Sequence, residues 1–297
     1  MKKLKIALCV IVFIMALGLT LYPLISNILA EKYQSTAIAD YTAAISDIDN
    51  SVLEKERQAA EDYNRRIAER AVIWDGPNAT LYLNTQAEGY DSILNLNGDG
   101  IMGYVSIPVI DVVLPLYHGV DGATLDQGAG HLPGSSLPVG GVNTHAIFAA
   151  HSGLASQRMF SDLDQLQQGD LFYLFVLGET LAYEVDQITV VEPDDASTLG
   201  NMDGGDYVTL ITCTPYGVNS HRLLVRGKHV PYTPTEEADP IEDHIDPAPS
   251  TWREQYIKGI VLGITILAGL SLLVMAVWYV YCRKHRRRKR YKHEKRW

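Results

Sequence analysis

One thiol, one histidine and one arginine in the polar middle of this chain are the residues best suited to chemistry. Cys213 lies in Thr209-Leu210-Ile211-Thr212-Cys213-Thr214-Pro215-Tyr216, and nine residues later comes Arg222 in Ser220-His221-Arg222-Leu223-Leu224-Val225. The chain has three cysteines; Cys9 and Cys282 fall inside or at the edge of long apolar runs, so Cys213 is the one thiol of the polar body. A lone thiol outside a membrane has no disulfide partner and is open to oxidation. It is either a nucleophile or a small buried hydrophobe. A nucleophilic thiol is mostly protonated at neutral pH and needs a cationic or basic neighbour. The body offers His118, His131, His145, His151, His221, His229 and His244. His151, in Ala149-Ala150-His151-Ser152-Gly153-Leu154, closes a short apolar run and opens a glycine-containing loop, where a scaffold presents a side chain at its rim. His145 starts the same strand and reads as a structural hydrogen-bonding residue. His221 neighbours Arg222 and therefore points to the other face of its strand. Arg222 keeps its charge and presents a rigid fork of donors suited to a substrate carbonyl or an oxyanion. A rim salt bridge is its other reading, and spacing does not decide between the two.

The elements that must position these residues are short strands. Tyr104–Ile107, Val109–Leu116, His145–Ala150, Leu171–Val176, Ala182–Val191, Tyr207–Cys213 and Leu223–Val230 are β-branched or aromatic runs separated by Gly, Pro, Asn and Asp clusters. Nothing of helical period and sufficient length lies between them, which disfavours a parallel α/β fold. The expectation is a mainly β protein built on a closed antiparallel barrel. Upstream, Ile38, Tyr41, Ile45, Ile48 and Val52 recur at alternating spacings of three and four, and Ala60, Tyr63 and Ile67 resume the pattern. This predicts one or two amphipathic helices over 31–70 that pack on the body. The loop residues Asn95-Leu96-Asn97-Gly98-Asp99-Gly100 invite a calcium reading. The twelfth position of such a loop is Ser106 rather than Glu, so the bidentate carboxylate is missing and a turn into the next strand is the better account.

Two apolar runs set the class of the protein. Ile6–Ala30 carries no charge and follows Lys2, Lys3 and Lys5; Gly259–Cys282 carries none and precedes Arg283-Lys284-His285-Arg286-Arg287-Arg288-Lys289-Arg290. Each exceeds the roughly 20 residues a helix needs to span the hydrocarbon core. The basic flanks place both termini in the cytoplasm and the body outside. A cleaved signal peptide is the rival for the first run, but the run is too long, and Ile28 stands where a small residue is required. Residues 31–256 hold 34 Asp and Glu against 11 Lys and Arg, a net of −23 inside an overall −10. So acidic a body is a poor partner for nucleic acid. The basic tail, directly after a membrane helix, faces anionic lipid instead. Five prolines and six acids in 231–250 read as an extended tether.

Thr-Leu-x-Thr-Cys followed nine residues later by Arg, with an upstream Ala-His-x-Gly-Leu, resembles the sortases of Gram-positive bacteria. The likeness extends through Gly103-Tyr104-Val105-Ser106-Ile107-Pro108, Leu114-Pro115-Leu116-Tyr117-His118-Gly119, and His131-Leu132-Pro133-Gly134-Ser135-Ser136-Leu137-Pro138-Val139-Gly140-Gly141. It continues in Met159-Phe160-Ser161-Asp162-Leu163 and covers roughly residues 70–230. The resemblance implies an eight-stranded β-barrel cysteine transpeptidase, with Cys213 as nucleophile, His151 as acid/base and Arg222 steadying the oxyanion. The helical extension and second membrane run are most similar to class C, the pilus-assembling sortases. The implied organisation is a cytoplasmic start and anchor (1–30), helical extension (31–70), candidate lid and connecting loop (71–100), catalytic barrel (101–230), tether (231–256), second membrane helix (257–282) and basic cytoplasmic tail (283–297). Many class C enzymes carry a lid written Asp-Pro-aromatic or Asp-aromatic. Here the corresponding stretch reads Trp74-Asp75-Gly76-Pro77, with the aromatic before the acid rather than after it. The implied substrates are pilin or surface-protein precursors with Leu-Pro-x-Thr-Gly-like (LPXTG-like) sorting signals, and the implied acceptor is a pilin Lys amine. The resemblance requires no metal or organic cofactor. A sortase attaching proteins to peptidoglycan precursor, a cysteine peptidase and a non-enzymatic membrane binding protein are the alternatives.

Overall fold

A computed structural model describes residues 2–70, 89–154, 156–195, 199–200, 204–232 and 258–265. The chain divides into two compact units, Met1–Asp246 and Pro247–Trp297. The candidate lid residues Trp74, Asp75, Gly76 and Pro77 lie outside the described residues. So does most of the second apolar run, of which 259–265 is helical.

Helix α1 (Lys2–Asp47) carries the first apolar run and continues without interruption into the extension. Among the described residues it is the one helix long and apolar enough to cross a membrane. Its later stripe does what the spacing predicts: Tyr41 and Ile45 are buried against Ile101, Tyr104, Tyr117 and Phe175. Tyr41 Oη donates to the Met102 carbonyl at 3.0 Å and accepts from Leu177 N at 3.0 Å. Burial pushes this phenol up to about 12. Helix α2 (Asn50–Arg70) begins where the Asp49 carboxylate accepts from Ser51 N at 2.7 Å, an N-terminal cap. Its Ala60, Tyr63 and Ile67 enter the main core. Asn64 holds both backbone groups of Leu137, donating at 3.0 Å and accepting at 2.7 Å.

Eight strands follow: β1 (Ile101–Ile107), β2 (Val112–His118), β3 (Ala129–His131), β4 (Thr144–Ala149), β5 (Leu171–Val176), β6 (Glu179–Val191), β7 (Asp206–Thr214) and β8 (His221–Val230). A short helix α3 (Gly122–Leu125) separates β2 from β3. They close into a barrel in the order β1-β2-β3-β4-β7-β8-β6-β5. The expectation of an antiparallel barrel needs correction, because β2 with β3 and β4 with β7 pair in parallel. Parallel partners need a crossover: α3 supplies one, and the β5–β6 hairpin lies within the other. The alternation of apolar residues is the same for either pairing, so the pattern does not reveal it. The run Val109–Leu116 divides into a helical turn (Pro108–Ile110) and β2, with Asp111 at φ 51° between them.

The barrel interior is filled by Val105, Ile107, Leu116, Phe148, Leu174, Val208, Leu210 and Val225 among others. A second, outer cluster of Ile147, Val191, Leu199 and Leu224 covers the opposite face of β4, β7 and β8. The segment read as a turn rather than a calcium loop is one. Asn95 Oδ1 accepts from Gly100 N at 2.9 Å and Asp99 Oδ1 from Ile101 N at 3.0 Å, so both side chains serve the turn.

Candidate active site

The site is set by strand register. From Thr144↔Asp206 to Ala149↔Ile211, β4 and β7 pair with a constant offset of 62 residues. The ladder continues past the end of β4: Ala150 N donates to the Ile211 carbonyl at 3.1 Å, and Thr212 Oγ1 donates to the Ala150 carbonyl at 2.8 Å. The same offset brings His151 level with Cys213. On the other side β8 places Arg222 directly opposite Cys213. Neighbouring strands lie about 4.8 Å apart, so the three backbones form one row across three strands.

Side-chain parity puts all three on the outer face. Ala146 and Phe148 of β4, Ala150 just after it, Val208 and Leu210 of β7, and Leu223 and Val225 of β8 point into the barrel core. The alternate positions Ile147, Ile211 and Leu224 face the outer cluster, and His151, Cys213 and Arg222 share their parity. Cys213 and Arg222 are half-buried, and the His151 side chain is 35% exposed.

Arg222 Nη1 donates to the His221 carbonyl at 3.1 Å and more weakly to that of Asn219 at 3.4 Å. Among the described residues no carboxylate pairs with it. The rim salt bridge that sequence left open is therefore not formed by any described acid. His151 Nε2 stands 3.9 Å from Asp126 Oδ1, on the loop after α3. The loop that follows His151 is tied back by Phe160 N donating to its carbonyl at 3.1 Å. The loops after His151 and Cys213 touch: at Gly153 (φ +80°) a Cβ would come 3.2 Å from Gly217 N. The left-handed backbone there favours glycine, and the close approach adds to the preference.

The other described histidines fall elsewhere; His244 lies outside the described residues. His145 is fully buried, with Nδ1 2.9 Å from the Gly200 carbonyl and Nε2 2.7 Å from Thr209 Oγ1. Burial pulls it down to about 4, so it is a neutral packing residue as its place at the strand start suggested. His131 is buried in the same way, beside Tyr90 Oη and the Ser136 carbonyl, and burial pulls it to about 3. His221 pairs with Thr214, turns away from the row, and reaches Glu192 at 3.4 Å. His118 bridges the Gly100 and Ile93 carbonyls, and His229 lies near Asp206 at the far end of β7. Two neighbours of the site are not marked as such by the sequence. Thr212 carries one signal, its parity opposite to Cys213; Asp126 carries none, being one acid among many. Among the described residues no three His, Cys, Asp or Glu side chains are grouped to hold a metal ion.

Comparison with known proteins bears on the family and the fold. The Sortase domain family matches residues 105–230, from within β1 to the end of β8. Sortase A of Streptococcus agalactiae serotype III (strain NEM316) is 29% identical over 117 residues, which are 38% of this chain and 47% of that protein. The chain thus spans about half the length of that curated relative. The crystal structure of sortase C1 from Streptococcus agalactiae superposes with a TM-score of 0.60 at 45% identity, covering 67% of this chain and 100% of that one. The X-ray structure of Clostridium perfringens sortase C with the C-terminal cell wall sorting motif superposes at 0.57 and 39% identity, with 67% and 100% coverage. With 45% identity over the whole of a solved relative, the chain belongs to the sortase family.

Proposed function

We propose that this protein is a membrane-anchored transpeptidase of class C type that cleaves an LPXTG-like sorting signal between Thr and Gly and passes the acyl group to an amine. The observation that carries the reading is the row His151–Cys213–Arg222, with Cys213 and Arg222 paired on β7 and β8 and His151 two residues past the end of β4, all three sharing the outer-face parity. The Cys213 thiolate adds to the Thr carbonyl carbon, and the electron pair moves to oxygen. Arg222 donates to that oxyanion through its rigid fork. As the intermediate collapses, the bond to the Gly nitrogen breaks, and the His151 imidazolium gives that amine its proton, leaving a thioester. An incoming neutral amine, in this reading a Lys of another pilin subunit, loses a proton to His151 and displaces the Cys213 thiolate. The product is an isopeptide bond, and the thioester conserves the acyl energy that hydrolysis would waste. The neighbours supporting class C include the Clostridium perfringens sortase C solved with a sorting motif. Transfer to a peptidoglycan precursor would use the same three residues, and the acceptor amine separates the two readings.

Cys213→Ala tests the assignment. The full chain in detergent, given a sorting-signal peptide, should form a mass adduct on Cys213 and release the Gly-containing fragment. The variant should keep its unfolding temperature and do neither. Continued transfer by Cys213→Ala would refute the mechanism.

A further inference from the structure

The direction in which α1 leaves the barrel determines what the site faces. The strand pairings put the ends of β4 and β7 and the start of β8 at one pole. The turn Pro108–Ile110 and the loop between α3 and β3 lie at the same pole, since β1 ends and β3 begins there. Gln34 of α1 is buried at this pole, its Nε2 3.5 Å from both the Gln127 carbonyl and Met159 Sδ. Gln127 follows the Asp126 that stands beside His151, and Met159 precedes the Phe160 that bonds the His151 carbonyl. Farther along, Tyr41 bonds the start of β1 and the end of β5, and Ile45 touches Gly178, all at the far pole. From Gln34 to Ile45 the helix therefore runs about 16 Å from the site pole to the far pole. Its N-terminal part, with the uncharged run, leaves the barrel from the site pole.

The distance is short. Ala30 ends the uncharged run four residues before Gln34, about 6 Å along the helix. A headgroup layer is about 5–8 Å deep on each side. The same pole exposes large apolar side chains: Val109 (56%) in the turn after β1, and Tyr216 (65%) and Val218 (70%) in the loop between Cys213 and Arg222. Tyrosine is suited to this layer, with an apolar ring and a polar tip.

We propose that the site pole rests on the outer surface of the lipid bilayer, with Val109, Tyr216 and Val218 in the headgroup layer. The row of His151, Cys213 and Arg222 then opens at the membrane surface and takes a sorting signal where it emerges from lipid. This rests on reading 6–30 as a membrane span. The pole also carries Asp111, Asp126, Asp162 and Glu192, so the helix and the apolar rim impose the contact rather than charge, and neutral headgroups suffice.

The test uses the full chain with Cys9→Ser, Cys213→Ala and Cys282→Ser in phosphatidylcholine vesicles containing a headgroup-nitroxide lipid. Single bimane labels go on Val109→Cys, Val218→Cys and Val142→Cys; Val142 is 74% exposed just before β4, at the far pole. Labels at 109 and 218 should lose most of their fluorescence to the nitroxide, and the label at 142 should keep it. Equal or reversed quenching on a chain that floats with the vesicles overturns the proposal alone. A chain that does not float overturns the membrane span and the proposal with it. In the otherwise unmodified chain, a seven-residue helical insertion between Ala30 and Glu31 lifts the pole by about 10 Å. It should cut transfer from a vesicle-anchored sorting signal about tenfold through lost effective concentration. Cleavage of the same signal as a soluble peptide should stay at the uninserted rate. Equal losses on both substrates, or none on either, overturn the orientation.

Discussion

Thr212→Val removes a hydroxyl while keeping the side chain's shape. Thr212 is 4% exposed, and its Oγ1 donates at 2.8 Å to the carbonyl of Ala150, itself 5% exposed. That bond joins β7 to the residue just before His151. Leaving a buried carbonyl without its donor costs about 1–3 kcal/mol. For a domain of this size each kcal/mol lowers the unfolding temperature by about 2–4 °C, so a drop of roughly 2–12 °C is expected. The larger consequence is for turnover. Without the link His151 loses its register with Cys213, and a shift of about 1 Å can cost up to about 10²-fold in rate. Cys213 is held by the β8 ladder, so its labelling by a thiol reagent should change little. Thr212→Ser keeps the donor and should restore most of both losses. The measurements are thermal unfolding and cleavage of a quenched fluorescent sorting-signal peptide. A valine variant with unchanged unfolding temperature and turnover, or a serine variant as impaired as valine, would show that the bond does not set the register.

His151→Ala should slow turnover about 10² to 10⁴-fold at nearly constant stability, whereas His145→Ala should act mainly through unfolding temperature; the reverse pattern would move the acid/base role. Because His145 is held at about 4 against an ordinary 6.5, the unfolded chain binds more protons below 6.5. Stability should therefore fall as pH drops from 6.5 towards 4, and His145→Gln should make that fall shallower; an unchanged slope in melting experiments contradicts the burial argument. Arg222→Lys keeps the charge but loses the planar fork, so its turnover should be nearly as poor as that of Arg222→Ala; near wild-type kinetics would show that charge alone suffices. If Trp74-Asp75-Gly76-Pro77 forms a lid over Cys213, deleting 72–80 should speed thiol labelling of Cys213, and unchanged labelling would leave the site open at rest.

What the sequence made legible was local. Strand runs longer than five residues declare themselves by composition, and seven of the barrel's strands lie on the runs read from it. Strand β3 did not, because Ala129-Gly130-His131 is three residues long and contains a glycine. A Cβ on Gly130 would meet the Gly119 carbonyl at 2.3 Å, so contact rather than propensity selects that residue. Pairing direction was also hidden, since it depends on where a crossover returns the chain. The same limit applied to the site. The positions of His151 at a strand end and of Arg222 after a turn could be read; their register on Cys213 could not, because it follows from the parallel β4–β7 pair. Asp126 reaches His151 only through the α3 crossover.

The parallel pair also explains why the chemistry sits where it does. Had β4 and β7 been antiparallel, a histidine at the end of one strand would lie beside the start of the other, a barrel height away from Cys213. Running them in the same direction places both C-terminal ends, and the loops after them, at one pole. The antiparallel β8 then returns Arg222 to that pole with the side-chain parity of Cys213. The inner face of each strand remains free to pack the core, so the outer face can be spent on exposed, half-polar groups at little cost in stability. On this account Thr212 is the exception. It faces inward but bonds to the residue just before His151, so it alone among the residues around the row should lose stability and turnover together.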